Sequence, residues 1–374
     1  MKIHSRRLAH ITASAAFLGA MTIGLNMSST AHAAQYSLTI IPNSSSANGI
    51  NDSGTVVGSN GAAFSYNGGT TINIGSNNPL GFNSANAINS GGTVVGQASN
   101  GTLAQVAIFT PSTTTFLGTG TYNSEAAAIN SGGEIVGTTG NSTGGFNAAI
   151  FSATPGTSPT IIDTANSSAR AINIGGTIVG YTSVSNSNAT HAFSYTSSGG
   201  LIDLGTFGGV NGYANGINDS GVIVGDYTDS NGYAHAISDA NGTITSLDSS
   251  RAYAMSVATA INNSGTIVGY AGAGPISSTL PIAFVYSNGV LSNLNSLVSG
   301  LPSGDSLVQA NAINNNGDIV GFGNSGPDSL GFGFLLTPIP AGDAAPLPGS
   351  LPLLFTGTAG LALALLTANR RKVR

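Results

Sequence analysis

One arrangement of apolar and polar positions recurs seven times along the chain. It reads NGINDSGTVVG at residues 48–58, ANAINSGGTVVG at 85–96, AAAINSGGEIVG at 126–137 and ARAINIGGTIVG at 169–180. It returns as ANGINDSGVIVG at 214–225, ATAINNSGTIVG at 258–269 and ANAINNNGDIVG at 310–321. The fixed asparagines are Asn51, Asn89, Asn130, Asn173, Asn218, Asn262 and Asn314, with a mean spacing of about 44 residues. A repeat of that length marks stacked supersecondary units, most often propeller blades.

Each copy predicts a tight β-hairpin. An isoleucine ends one strand, and the asparagine opens a turn because its short side chain can hydrogen-bond the backbone two residues on. Three residues later stands a glycine: Gly54, Gly92, Gly133, Gly176, Gly221, Gly265 or Gly317. That position suits a positive φ closing a type I turn with a bulge. The following β-branched run, such as Thr177-Ile178-Val179, fits a strand packed on both faces. The second glycine of the phrase suits a close approach of backbones.

A third strand is expected at 63–66, 106–109, 148–151, 191–195, 235–237, 282–286 and 332–336. A fourth follows at 70–74, 115–117, 160–163, 201–204, 243–247 and 290–294, which leaves the last repeat one strand short. The stretch 36–41 precedes the first hairpin and can supply it. The expected fold is therefore all-β: a seven-bladed β-propeller over residues 34–338, closed into a ring by its N-terminal strand. Closure hides the edges that an open array would expose.

Length alone, 374 residues, would allow two or three domains, and the repeat overrides that prior. Hydrophobic residues make up 41%, enough for a core, while 54 glycines and a charged fraction of 6% fit short strands joined by many turns. There is no cysteine, so neither disulfides nor thiolate metal sites are available.

The two ends differ from the body. Residues 1–33 read as a secretory signal peptide: Lys2, Arg6 and Arg7, an apolar stretch over about 13–25, and a small-x-small site at Ala31-His32-Ala33, so that the mature chain starts at Ala34. Residues 339–350 form a proline, glycine and alanine linker. Residues 351–374 read as a transmembrane helix, whose apolar part (351–368) is about one bilayer in length, followed by Arg370, Arg371, Lys372 and Arg374. The basic end stays cytoplasmic, which puts the ring on the far side of the membrane. With those ends set aside, only Arg170 and Arg251 remain, and two bases against fourteen acids give the body a net charge of −12. Such a surface excludes nucleic acid, whose binding rests on basic contacts to phosphate, and disfavours anionic membrane surfaces.

Two resemblances follow from these residues. The AIN-x-x-G-x-IVG phrase, with His-Ala-Phe at 191–193, resembles the HAF-type repeat of bacterial extracellular proteins over most of 36–338. One copy keeps the full triplet; others read AAF, IAF or HAI. The stretch 294–297 is similar to that family's longer final repeat. The resemblance implies an exported protein and leaves activity open. The tail PLPGSLPLLFTGTAGLALALLTANRRKVR resembles a PEP-CTERM sorting signal, with Pro346-Leu347-Pro348 where that family usually has Pro-Glu-Pro. It implies an exosortase-type processing enzyme as a partner beside signal peptidase, and delivery to the cell surface or extracellular matrix.

Candidate chemistry is sparse. The Asn-Asp-Ser-Gly turns at 51–54 and 218–221 offer Asp52 and Asp219 to calcium, but the other copies carry Ser, Ile or Asn there, and an Asx turn explains the same pattern. A hydrolase would need paired carboxylates, and repeats four and five hold Arg170, His191, Asp203, Asp219, Asp226, Asp229 and His235. His191 and His235 occupy equivalent places in successive repeats, which favours a structural role at the start of the third strand. No nucleophile-elbow context accompanies any serine. Tyr122, Tyr181, Tyr213, Tyr227, Tyr233, Tyr253 and Tyr270, expected near strand ends or in loops among Asn, Ser and Thr, suit stacking and hydrogen bonding to neutral sugars, or serve as polar loop fillers.

The sequence thus points to a non-enzymatic interaction module with no catalytic residue, cofactor or metal. Extracellular polysaccharide or a surface protein is its partner, and the C-terminal helix its only membrane contact. The contrasting expectation is a polysaccharide-acting hydrolase or lyase with its site in repeats four and five. Cleavage after Ala33 predicts that the exported protein begins at Ala34, which N-terminal sequencing or intact mass checks; an uncleaved N-terminus would make residues 1–33 an anchor instead.

Overall fold

The computed structural model describes residues 35–340, without 76–81, 100, 186–188, 250–251, 274–279 and 327–329. The expected signal peptide with Ala31, Ala33 and Ala34, and the sorting segment with Pro346, Leu347, Pro348, Arg370 and Arg371, lie outside the described residues. Among the described residues no helix is long and apolar enough to cross a membrane.

The chain is an all-β seven-bladed β-propeller. Six sheets each take four consecutive antiparallel strands, as in blade 1 with Ser46–Ile50, Val56–Ser59, Ala63–Asn67 and Thr70–Asn73. The first strand of each blade is innermost and touches the innermost strands of both neighbouring blades. Blade 7 uses Asp305–Ile313, Ile319–Ser325 and Leu330–Pro338, and takes Tyr36–Ile40 as its next strand. That strand runs antiparallel, from Tyr36 opposite Pro338 to Ile40 opposite Phe334, so the N-terminal strand closes the ring as the repeat count requires. One strand was not foreseen. Val298–Ser299 follows a 3-10 turn at Leu294–Ser296 and pairs in parallel with Tyr36 and Ser37 at the outer edge of blade 7.

The core lies between blades, and it decodes the repeated phrase. Between blades 3 and 4, Val136 and Ala148 meet Ala169, Ile178 and Phe193. Between blades 4 and 5, Val179 and Ala192 meet Ala214, Ile223 and Ile237. Ile178 and Val179 are neighbours on one strand and therefore face opposite blades, as do Ala192 and Phe193. That is why these strands are apolar without alternation: both faces are buried. The third strand reads Ala-Phe because a small residue faces the following blade and a large one the preceding blade. Ala63 with Phe64 and Ala283 with Phe284 repeat the division, and Ile237 fills the aromatic place in blade 5.

The first and second strands of every blade slip by one residue at the same point, a β-bulge. The extra residue is Asn48, Asn86, Ala127, Arg170, Asn215, Thr259 or Asn311. Close to each bulge sits the closing glycine of the phrase. A Cβ on Gly180 would strike the carbonyl oxygen of Ser168 and crowd the Phe193 ring at 3.0 Å, and the other six collide with the equivalent carbonyl. The bulge thus brings two backbones together where only glycine fits. Gly180→Ala should therefore lower unfolding stability by about 1–3 kcal/mol or more, as overpacking does. A urea midpoint equal to that of the parent protein would show that the bulge yields freely.

Candidate functional site

The axial channel is built from three rings of side chains, since on every innermost strand the bulge residue stands two places before the closing isoleucine, and the asparagine follows directly after it. At one mouth the seven asparagines form a closed circuit. Each Nδ2 donates to the backbone carbonyl of the next: Asn51 to Asn89 at 3.1 Å, Asn89 to Asn130 at 3.2 Å, Asn130 to Asn173 at 3.3 Å. Asn173 to Asn218 and Asn218 to Asn262 follow at 3.2 Å, Asn262 to Asn314 at 3.0 Å, and Asn314 returns to Asn51 at 3.1 Å. Each Oδ1 meanwhile accepts the backbone N–H four residues on, at 2.8–3.0 Å. Gly54, Gly92, Gly133, Gly176, Gly221, Gly265 and Gly317 close these turns with φ between +75° and +86°.

The residues after the asparagines add a second, partial circuit. Asp52 accepts from the backbone and side-chain nitrogens of Asn315 at 2.8 and 2.9 Å. Asp219 accepts from the Ile174 N–H at 3.1 Å and from Asn263 Nδ2 at 2.7 Å. Both carboxylates raised as calcium ligands thus bind protein donors across blade boundaries. Among the described residues no three His, Asp or Glu side chains gather in a metal-holding group.

The other section of the channel is a cavity of about 540 Å³ lined by the bulge residues. Five of them bridge to the next blade: Asn48 to the Ala85 carbonyl, Asn86 to Ala126, Asn215 to Ala258, Thr259 to Ala310 and Asn311 to Ala47, at 2.7–3.0 Å. Blades 3 and 4 depart from this, with Ala127 and Arg170. The Arg170 guanidinium lies over the Tyr181 ring, 5.0 Å from its centre, and Tyr181 meets Tyr213 edge-on at 5.3 Å. Asp226 lines the same cavity, buried, with Asn215 donating to it at 2.9 Å. Burial pushes its carboxyl up to about 6 against the opposing effects of Asn215 and the Arg170 charge. Tyr270 faces it, and burial, then the Asp226 charge, raise the phenol.

The remaining candidates of repeats four and five do not join this site. His191 Nδ1 pairs with Asp203 of its own blade at 2.9 Å, and His235 Nε2 with Asp229 of its own blade at 3.3 Å. Partial burial favours protonation of Asp203, but hydrogen bonds from His191 and the Gly205 N–H outweigh it and hold the carboxyl below its usual range. Backbone donation by Tyr233 leads the effects that do the same for Asp229. Asp219 lines the asparagine mouth and Asp226 the bulge cavity, and neither cavity includes Asp203 or Asp229. Four tyrosines expected near strand ends or in loops, Tyr181, Tyr213, Tyr227 and Tyr270, lie in strands, one or two residues from an end. Sequence reasoning named Arg170 but missed its bulge position and the role of Ala127. The signal was the variable residue between two small ones that precedes each isoleucine.

Fold and channel together define a closed seven-bladed propeller with a polar axial channel whose symmetry breaks at blades 3 and 4. No family model matches the sequence, and no curated protein does. Among solved structures, the chain is similar to a putative TolB from Agrobacterium tumefaciens, with 12% sequence identity, a TM-score of 0.43, and coverage of 67% of this chain and 87% of that one. The fold assignment rests on the strand order described above.

The raised Asp226 carboxyl sets a pH dependence. A carboxyl whose folded value lies above its unfolded one stabilises the fold fully below about pH 4, and the contribution is lost as pH rises through about 6. Asp226→Asn should therefore gain on the order of 1–3 kcal/mol over the parent at pH 8 and little at pH 4. Parallel denaturation curves at both pH values would sink this account.

Proposed function

We propose that this propeller is an exported, non-enzymatic interaction module of the cell surface or extracellular matrix, and that it binds extracellular polysaccharide. The observation that supports this most is the chemistry of the channel. Its bulge section presents Asn48, Asn86, Asn215, Thr259, Gln309 and Asn311 beside Tyr270, a lining of amides, a hydroxyl and a phenol. Such groups exchange hydrogen bonds with sugar hydroxyls, and they sit on a scaffold fixed by every blade. Loops and channel mouths on rigid scaffolds are where binding concentrates. Export and surface delivery rest on the signal-like N-terminus, the PEP-CTERM-like tail and the HAF-like repeat.

The non-enzymatic part of the reading is supported by how the acids are disposed. The His–Asp pairs of blades 4 and 5 are separate and internal to each blade, and the carboxyls of Asp203 and Asp229 sit below their usual range. Among the described residues Asp226 is the one carboxyl raised as a general acid requires, and it lines a cavity that includes none of Asp203, Asp219 and Asp229 to pair with it.

The test mixes the purified protein with the source organism's own extracellular polysaccharide and follows co-sedimentation and released reducing ends together. Co-sedimentation without new reducing ends is the expected outcome. New reducing ends would overturn the non-enzymatic reading and turn attention to the acids of repeats four and five. Absence of both would remove the glycan partner.

A further inference from the structure

Seven-fold repetition supplies its own control: a position that departs from its equivalents has been released from what those equivalents do. At the bulge position, Asn48, Asn86, Asn215, Thr259 and Asn311 each bridge to the carbonyl of the next blade. Ala127 cannot, and Arg170 does not. The two departures are adjacent on the ring, so they act on one stretch of channel wall.

There the wall opens. A second cavity of about 460 Å³ shares Glu125, Ala127 and Arg170 with the bulge cavity, so the two meet around these side chains. Loss of the side chain at Ala127 makes that room. Arg170 is exposed into it, and among the described residues its guanidinium makes no hydrogen bond and no ion pair; it lies over the Tyr181 ring, and its charge reaches Asp226 and Tyr270 only through space. The acids nearby are engaged elsewhere, Glu125 accepting from Asn86 at 2.8 Å and Asp226 from Asn215 at 2.9 Å. Arg170 is also the sole Lys or Arg among the described residues, in a body of strongly negative net charge. A lone cation that leaves its planar donor fork unspent, braced from behind by an aromatic ring, is arranged to receive a planar anion. Around it stand Gln97, Thr138, Asn166 and Ser168, amides and hydroxyls suited to a polyhydroxylated ligand.

We propose that the Ala127–Arg170 break in the channel wall is a binding site for the carboxylate of a uronic-acid residue, with Arg170 as its bidentate anchor. This rests on the glycan-binding reading above and names the sugar class. The acidic body narrows it further: a dense polyanion would be repelled, whereas a largely neutral glycan with isolated uronates brings one charge to Arg170.

The test is calorimetric titration of the purified full chain with two tetrasaccharides, one carrying a single glucuronic acid and the other the same sugar with that acid reduced to glucose. The acidic sugar should bind about tenfold or more tightly than its reduced twin, and Arg170→Gln should abolish the difference. Ala127→Asn, which restores the side chain of the regular blades, should weaken the acidic sugar while leaving the melting temperature close to the parent's. Equal affinities for both sugars, or an Arg170→Gln protein that still prefers the acidic one, would overturn the proposal and leave glycan binding standing. Binding of neither sugar would remove both. Acetate binding as tightly as the tetrasaccharide would reduce the site to a general carboxylate pocket and overturn the sugar assignment.

Discussion

A circuit of seven neutral hydrogen bonds holds this ring together. Each fixed asparagine is 4–8% exposed, accepts one backbone N–H within its own turn and donates to the carbonyl of the next asparagine. The same amide therefore shapes a hairpin and ties it to its neighbour. Aspartate keeps the acceptor but has no donor at neutral pH, and serine lacks the reach to do both. Loss of one member would strand a buried carbonyl and a buried N–H, at about 1–3 kcal/mol each. The seventh bond, from Asn314 to Asn51, joins the last blade to the first and completes the circuit. Three further contacts reinforce that seam: Asn315 on Asp52, Asn316 on the Asp52 carbonyl, and Asn311 on the Ala47 carbonyl. A chain with only 6% charged residues thus holds its closing seam largely with amides.

From the circuit the other constraints follow. Fixing seven turns at one mouth fixes the direction of seven innermost strands, and each must then bend to leave room on the axis. The bulge supplies the bend and re-aims one side chain per blade. Its companion is the closing glycine, which leaves space for the bulged carbonyl and, in blades 1, 4, 6 and 7, for the buried phenylalanine of the third strand. A single repeated phrase therefore specifies turn, inter-blade bond, bend and core contact together, and each element is consistent with the rest.

The period, the hairpin and the closing strand were legible because they are local or countable. Asn51 to Gly54 reads as a turn from its own chemistry, and six fourth strands for seven repeats demand a seventh from elsewhere. The direction of Asn51 Nδ2 was not legible, since an Asx turn explains the residue fully without a partner in the next blade. The bulge was hidden for a related reason. An extra residue in one strand leaves no mark in composition, and only the paired glycine hints that something must pass close by. Val298–Ser299 escaped because two residues carry no period, and their parallel partner lies more than two hundred residues away. The His191–Asp203 and His235–Asp229 pairs show the opposite failing. Residues that look like one catalytic cluster along the chain are divided among blades once the strands are in register.

Repetition also separates what the scaffold needs from what it is free to use. The ring position tolerates no substitution in seven copies, because every copy is a link in one circuit. The bulge position carries Asn, Asn, Ala, Arg, Asn, Thr and Asn, so it holds a bond worth having but not indispensable. Such bonds between partly buried neutral groups contribute about 1 kcal/mol, a loss that a seven-bladed core can absorb twice. Blades 3 and 4 forgo it, and in its place the channel gains an open wall and an unspent guanidinium over Tyr181. A departure that merely drifted would be expected to leave a small or polar residue, not a guanidinium. Placing one of the body's two arginines on the channel of an acidic ring, where among the described residues it forms no ion pair, puts a specific recognition group at the point where the structure can best spare the symmetry.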